Sequence, residues 1–290
     1  VEIIPAEIEP PHHTVTSTSG NIIRFGTEKV TNWGDQSKLA IAFNDQVCLS
    51  RHRLDSFDDN CIILQESLWE NHEDEAIRTM YADAMEEMSS KNYRFIQVPI
   101  EEETLKVVDN PSHGKNMFAL GLLAEIYQRD LSIIEKQIAH IFHKKPAKVT
   151  ELNIQLVKNG MAWARENLDF QFDIETVPAK ETRVVMNGNQ AAALGAVAAG
   201  MEMCAMYPIT PATSVSHELA AIIENYGGIV HQAEDEIAAA GVALGASFGG
   251  KVALTVTSGP GMALKTEFLG LAIMTEIPLV VLDVQRGGPS

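Results

Sequence analysis

The sequence predicts an α/β protein in two parts: an α/β domain ending in a helical tail, then a doubly wound parallel sheet. Three observations predict this. Charge density drops near residue 180, from 18 basic and 29 acidic residues before it to 4 and 10 after it. In the first part, short apolar runs precede three amphipathic stretches. In the second, strand-like and helix-like segments alternate with short connections, as repeated βα units do when a parallel sheet is covered on both faces.

Residues 39–43, 61–65 and 94–99 are short apolar runs that predict buried strands. Helices follow at 115–128, 131–142 and 151–167, where apolar residues recur at spacings of three and four, as in Leu131, Ile134, Ile138 and Ile141. Residues 173–182 are polar, contain Pro178 and predict a linker. The boundaries expected are therefore a first domain over 1–172 and a second over 183–290. Strands are expected in the second at 183–186, 203–206, 229–232, 252–256 and 279–284. Helices are expected there at 190–199, 212–225, 235–248 and 261–273.

Composition excludes several classes. The 290 residues are 46% apolar and 21% charged, an ordinary globular balance. A net charge of −17 argues against nucleic acid or an anionic membrane as partner, because neutralising phosphates needs clustered Lys and Arg. No apolar run reaches the ~18 residues of a membrane span. Cys48, Cys61 and Cys204 are scattered and form no CxxC. They are too few for a four-cysteine cluster or zinc site, and they fit a reducing cytoplasm. The chain has no starting Met and ends on Gly287, Gly288, Pro289 and Ser290, a turn-like string, so a piece of a longer polypeptide is expected.

Ligands of open α/β sheets bind beyond the carboxyl ends of the strands. Four loops occupy that edge: Tyr207-Pro208-Ile209-Thr210-Pro211-Ala212-Thr213, Ala233-Glu234-Asp235-Glu236, Thr257-Ser258-Gly259-Pro260-Gly261, and Gln285-Arg286-Gly287-Gly288-Pro289. Two prolines stiffen the loop around Thr210. Gly259 and Gly261 allow backbone to approach a ligand at a helix start. Glu234 and Asp235 read first as carboxylates favoured by the helix dipole, whereas Glu236, in the first turn of a helix of small residues, reads as a carboxyl open to burial. Arg286 is one of only four fixed cations after residue 180, and a guanidinium at a sheet's carboxyl edge can clamp a carboxylate; a plain turn arginine is the alternative. Gly241, Gly245 and Gly249 bare one helix face for close packing, within the chain or across a subunit interface. His217-Glu218 lacks the second histidine of a zincin, since position 221 is Ala.

Taken together, YPITPAT (207–213), AEDEIAAAG (233–241), TSGPG (257–261) and QRGGPS (285–290) resemble the alpha subunit of 2-oxoacid:ferredoxin oxidoreductases. The branch they resemble is the 2-oxoglutarate enzyme with a gamma domain fused N-terminally. EIEPPHHT (7–14), TNWGD (31–35), IAFN (41–44) and KNMFALG (115–121) resemble the gamma part. The resemblance implies a gamma-type domain followed by a thiamine-enzyme pyrimidine domain. It implies a protein that begins earlier and continues past Ser290.

It also implies a chemistry. Glu236 would hydrogen-bond the aminopyrimidine of thiamine diphosphate and favour its imino tautomer, so helping to remove the thiazolium proton. Thr210 would bond the 2-oxoacid and Arg286 its carboxylate. Pro208, Ile209, Thr257, Ser258 and Gly259 would lie beside the cofactor. Coenzyme A would take the acyl group, and ferredoxin the electrons. The diphosphate site with its Mg, and the [4Fe-4S] cluster, would come from a beta subunit, with a second alpha subunit completing a dimer of pairs. The reaction implied is decarboxylation of 2-oxoglutarate to succinyl-CoA and CO2, or its reverse. For the second carboxylate of 2-oxoglutarate the candidates are His217, His231, Lys265 or a beta-subunit residue. Pyruvate or branched 2-oxoacids, another thiamine enzyme, and a non-catalytic Rossmann-like assembly module are the alternatives.

Overall fold

The computed structural model describes residues 2–8, 20–26, 30, 32, 34–174, 184 and 186–285. These fall into two compact units, one holding the described residues up to 174 and the other those from 184 on.

In the first unit, strands β1 (Glu2–Ile8) and β2 (Gly20–Gly26) pair antiparallel. Then come β3 (Ser37–Ala42), α1 (Asp45–Arg53), β4 (Phe57–Glu66), α2 (Glu75–Met88), β5 (Arg94–Val98), α3 (Ile100–Leu105), α4 (Lys115–Ile126), α5 (Leu131–Ile141) and α6 (Ala147–Asn167). Strands β3, β4 and β5 form a parallel sheet in that order. The middle strand is apolar without alternation over 61–64 because helices cover both its faces there. Cys61 and Ile63 pack with Cys48, Leu49, Ala84 and Met88 of α1 and α2. Leu64 packs with Phe118, Leu122 and Ile126 of α4 and Ala164 of α6. Helices α1 and α2 start on side-chain caps: Asn44 accepts from the Val47 amide and Asp74 from that of Ala76.

Helices α4 and α6 touch through glycine. A Cβ on Gly121 would sit 2.2 Å from the Val157 carbonyl oxygen, and one on Gly160 2.1 Å from that of Phe118. Only bare backbone permits this crossing. At the end of β4, Glu66 is buried and accepts from the amides of Leu68 at 3.0 Å and Glu101 at 2.9 Å. Burial nonetheless raises its carboxyl above the usual range, against the pull of those hydrogen bonds.

The second unit runs α7 (Gly188–Ala198), β6 (Met203–Met206), α8 (Thr213–Ile222), β7 (Ile229–Gln232), α9 (Glu236–Phe248), β8 (Ala253–Thr257), α10 (Gly259–Leu264), α11 (Thr266–Thr275) and β9 (Val280–Asp283). Its four strands are parallel in the order β7-β6-β8-β9. Cys204 and Met206 face a core with Ala193 of α7 and Val215 and Leu219 of α8. Helix α9 packs on β6 and β8, burying Ala239, Ala240 and Ala243. This is the doubly wound arrangement.

Two expected elements differ. Val184 and Met186 belong to no strand; Val184 is largely exposed, and the chain turns straight into α7 through a capping box of Asn187 and Gln190. Residues 183 and 185 of that expected strand, like most of the expected linker, lie outside the described residues. The expected helix at 261–273 is two helices, starting earlier at Gly259 and dividing at Lys265, whose amide is shared between the Gly261 and Met262 carbonyls. No helix among the described residues is long and apolar enough to cross a membrane.

Candidate functional site

Strand order reverses between β6 and β8, and in open parallel sheets ligands bind at such a switch point. The register aligns Met206 with Gln232 and with Val256, and Thr257 with Asp283, so the loops that follow all leave the same edge. Backbone bonds tie them there. The Ala233 amide donates to the Met206 carbonyl at 2.8 Å, and that of Val284 to the Thr257 carbonyl at 2.9 Å.

In the first loop Tyr207 and Pro208 are exposed, whereas Ile209 and Thr210 are half-buried. Ile209 packs on the core beneath. The Thr210–Pro211 peptide is cis. Asn189, in the first turn of α7, braces this loop by donating to the Pro211 carbonyl at 3.1 Å and to Ser214 Oγ at 2.5 Å.

In the second loop Asp235 is the N-cap of α9, accepting from the Ala238 amide at 2.6 Å. That is the helix-start role expected of it. Glu234 is exposed. Glu236 is half-buried in the first turn, and its side chain lies across the third loop. A Cβ on Gly261 would meet Thr257 Oγ1 at 2.2 Å, Glu236 Cγ at 2.6 Å and Glu236 Oε1 at 3.3 Å. Thr257 and Ser258 are fully buried, and Ser258 Oγ has no hydrogen-bond partner within the chain. Gly259 is half-buried at the first position of α10, and Pro260 supplies no amide donor there. The structure thus brings Glu236, Thr257, Ser258 and Gly261 together at the switch point, with Thr210 on the neighbouring strand end. Arg286 lies outside the described residues.

Lys265 is placed differently from expectation. It is fully buried, and its ammonium donates to the Glu236 carbonyl at 2.8 Å and to Thr255 Oγ1 at 3.1 Å. It cannot reach a substrate carboxylate from beneath the helix. His217 and His231 are exposed and stay available for that role. The glycine face of α9 resolves in part: Gly241 packs within the chain on the Phe268 ring of α11, while Gly245 faces open space. Sequence reasoning missed Asn189 and the Lys265 tie. The spacing Gly261, Lys265, one helical turn apart on the same face, was the available signal for the second.

A carboxyl and a bare glycine loop at the switch point of a doubly wound sheet define a nucleotide- or cofactor-binding α/β protein. Comparison with known proteins sharpens the class. Residues 194–290 match the family model described as pyruvate flavodoxin/ferredoxin oxidoreductase, thiamine diphosphate-binding. Residues 16–163 match that of the pyruvate ferredoxin/flavodoxin oxidoreductases. The chain belongs to the pyruvate ferredoxin/flavodoxin oxidoreductase family. It is 34% identical to the 2-oxoglutarate oxidoreductase subunit KorA of Mycobacterium tuberculosis, over 99% of this chain and 46% of that relative. It is 51% identical to the 2-oxoglutarate synthase subunit KorA of Methanocaldococcus jannaschii, over 36% of this chain and 29% of the relative. Its fold is similar to that of the 2-oxoglutarate:ferredoxin oxidoreductase from Magnetococcus marinus, solved with 2-oxoglutarate, coenzyme A and succinyl-CoA bound. There the TM-score is 0.77 and the identity 30%, covering 99% of this chain and 48% of that one. The chain spans less than half the length of each of these relatives.

Proposed function

We propose that this chain is the gamma-fused alpha-subunit portion of a 2-oxoglutarate:ferredoxin oxidoreductase. On this reading it works with a beta subunit to convert 2-oxoglutarate and coenzyme A to succinyl-CoA and CO2, with ferredoxin as electron acceptor. The observation that carries the reading is Glu236, set in the first turn of α9 with its carboxyl over the bare backbone of Gly261.

The residues present fit thiamine diphosphate. Glu236 is half-exposed at the sheet edge and its stem is fixed by close packing, so its carboxyl can bond a ring nitrogen. Ser258 Oγ is a buried hydroxyl left without a partner in the chain, and an unpaired buried polar group is costly. Thr257, Ser258 and Gly259 would flank the cofactor from one strand end, and Pro208 and Ile209 from the next. When bound, thiamine diphosphate supplies a nucleophilic carbon for the 2-oxo group and an electron sink for loss of CO2. Glu236 holds and moves the proton at the ring nitrogen. Thr210 orients the 2-oxoacid, and Arg286 holds its carboxylate.

The beta subunit supplies Mg, the diphosphate site and the [4Fe-4S] cluster. The three cysteines of this chain suit no cluster of four thiolates: all are buried, and burial pushes each thiol up to about 12. Pyruvate is the second reading, favoured by the names of both matching family models. Dye reduction by the complex containing this chain separates the two. Coenzyme A-dependent reduction with 2-oxoglutarate supports the proposal, a preference for pyruvate moves the substrate, and no reduction with either contradicts it.

A further inference from the structure

Among the described residues of the second unit, Lys265 is the one charged side chain that is buried. Burying an ammonium costs stability unless its partners are excellent, and its partners here are neutral, the Glu236 carbonyl and the Thr255 hydroxyl. Its place adds to the cost, because the positive end of the α9 dipole lies at that first turn. An apolar side chain of the same length would fill the space more cheaply. A cation kept at this point is therefore explained by what it acts on.

It acts on Glu236 from two sides. The Lys265 amide donates to the Gly261 carbonyl at 3.1 Å, one turn back. The same helical face thus offers bare backbone to the Glu236 stem and an ammonium to the Glu236 carbonyl. Thr255 anchors that ammonium to β8, beside the switch point.

We propose that Lys265 is a positioning residue for Glu236: its ammonium locks the first turn of α9 to the sheet and places a positive charge beside the residue that meets a bound ring nitrogen. The proposal rests on the thiamine reading above. The surrounding charges support the assignment. Burial lowers the Lys265 pKa, and the charges of Glu236 and then Asp235 oppose that loss. Of the other elements packed on α9, β6 offers only Cys204, whose thiol burial pushes up to about 12, and α11 offers the exposed Glu267. Strand β8 and helix α10 carry no titratable side chain.

The test uses the intact complex loaded with thiamine diphosphate. Near-ultraviolet circular dichroism of the bound aminopyrimidine is followed against pH for wild type, Lys265→Met, Lys265→Arg and Glu236→Gln. Removing a cation raises the midpoint of the ring–carboxyl pair, so Lys265→Met is expected to shift it upward by about 1–2 pH units. Lys265→Arg should restore most of that shift, which a purely structural role would not require. Should Lys265→Met fail to assemble, Lys265→Gln removes the charge, keeps a donor and carries the same expectation. A cofactor signal that Glu236→Gln alters but the charge-removing variant leaves at the wild-type midpoint overturns the proposal and spares the thiamine reading. A wild-type complex with no cofactor-dependent signal overturns both.

Discussion

Replacing Gly261 with alanine perturbs the site through one methyl group. The added carbon would stand 2.2 Å from Thr257 Oγ1 and 2.6 Å from Glu236 Cγ. Thr257 is fully buried at the end of β8, and Glu236 Cγ is the middle of a stem whose backbone is held by Lys265. Neither is the free tip of a flexible chain, so relief requires a shift of about 1 Å in the carboxyl or in the loop. Overpacking of this kind costs about 1–3 kcal/mol, lowering the thermal midpoint by about 2–4 °C per kcal/mol in a chain of this size. The catalytic cost should be larger, because misplacing a reacting group by about 1 Å costs on the order of 100-fold in rate. The assay is steady-state dye reduction by the complex, beside thermal unfolding. Gly245→Ala is the control, since its Cβ would meet nothing within 4 Å, and a helical Gly-to-Ala change there should be neutral or stabilising by up to ~1 kcal/mol. Full turnover in Gly261→Ala would refute the claim that Glu236 must lie over bare backbone.

Arg286→Ala should mainly raise the apparent KM for the 2-oxoacid, by the worth of one ion pair, about 2–4 kcal/mol or roughly 30-fold and more; an unchanged KM makes Arg286 a turn residue. The buried carboxyl of Glu66 gives a pH prediction. Burial holds its folded pKa above that of the unfolded chain, so the folded state binds the proton more tightly. Its contribution is fully present below the unfolded pKa and is lost as pH rises through the folded value. In chemical denaturation, the stability of wild type relative to Glu66→Gln should therefore fall as pH rises from about 4.5, and a rise over that range would show the two backbone bonds outweigh burial.

The second unit was legible because its apolar runs are short, continuous and separated by glycine- and proline-rich loops. Four of its strands and the switch-point edge follow from that pattern alone. Of the strand expected at 183–186, Val184 and Met186 join no ladder, and without a ladder partner apolar Val184 is left largely exposed. In the first unit α1 was invisible: Val47, Cys48 and Leu49 are consecutive and give no helical stripe, and capping by Asn44 and tertiary burial make the helix. Glu236 was legible as a carboxyl at a helix start. Its contact with Gly261 and its tie to Lys265 were not, because both depend on how α10 ends, which apolar periodicity does not encode.

The most direct test of the central claim compares turnover of wild-type and Glu236→Gln complexes with 2-oxoglutarate, coenzyme A and a low-potential dye. The substitution preserves shape and removes the ionisable proton, so turnover should fall by about 10²–10⁴-fold while the thermal midpoint stays at that of wild type. Wild-type turnover from Glu236→Gln would contradict the assignment of this edge as the thiamine site.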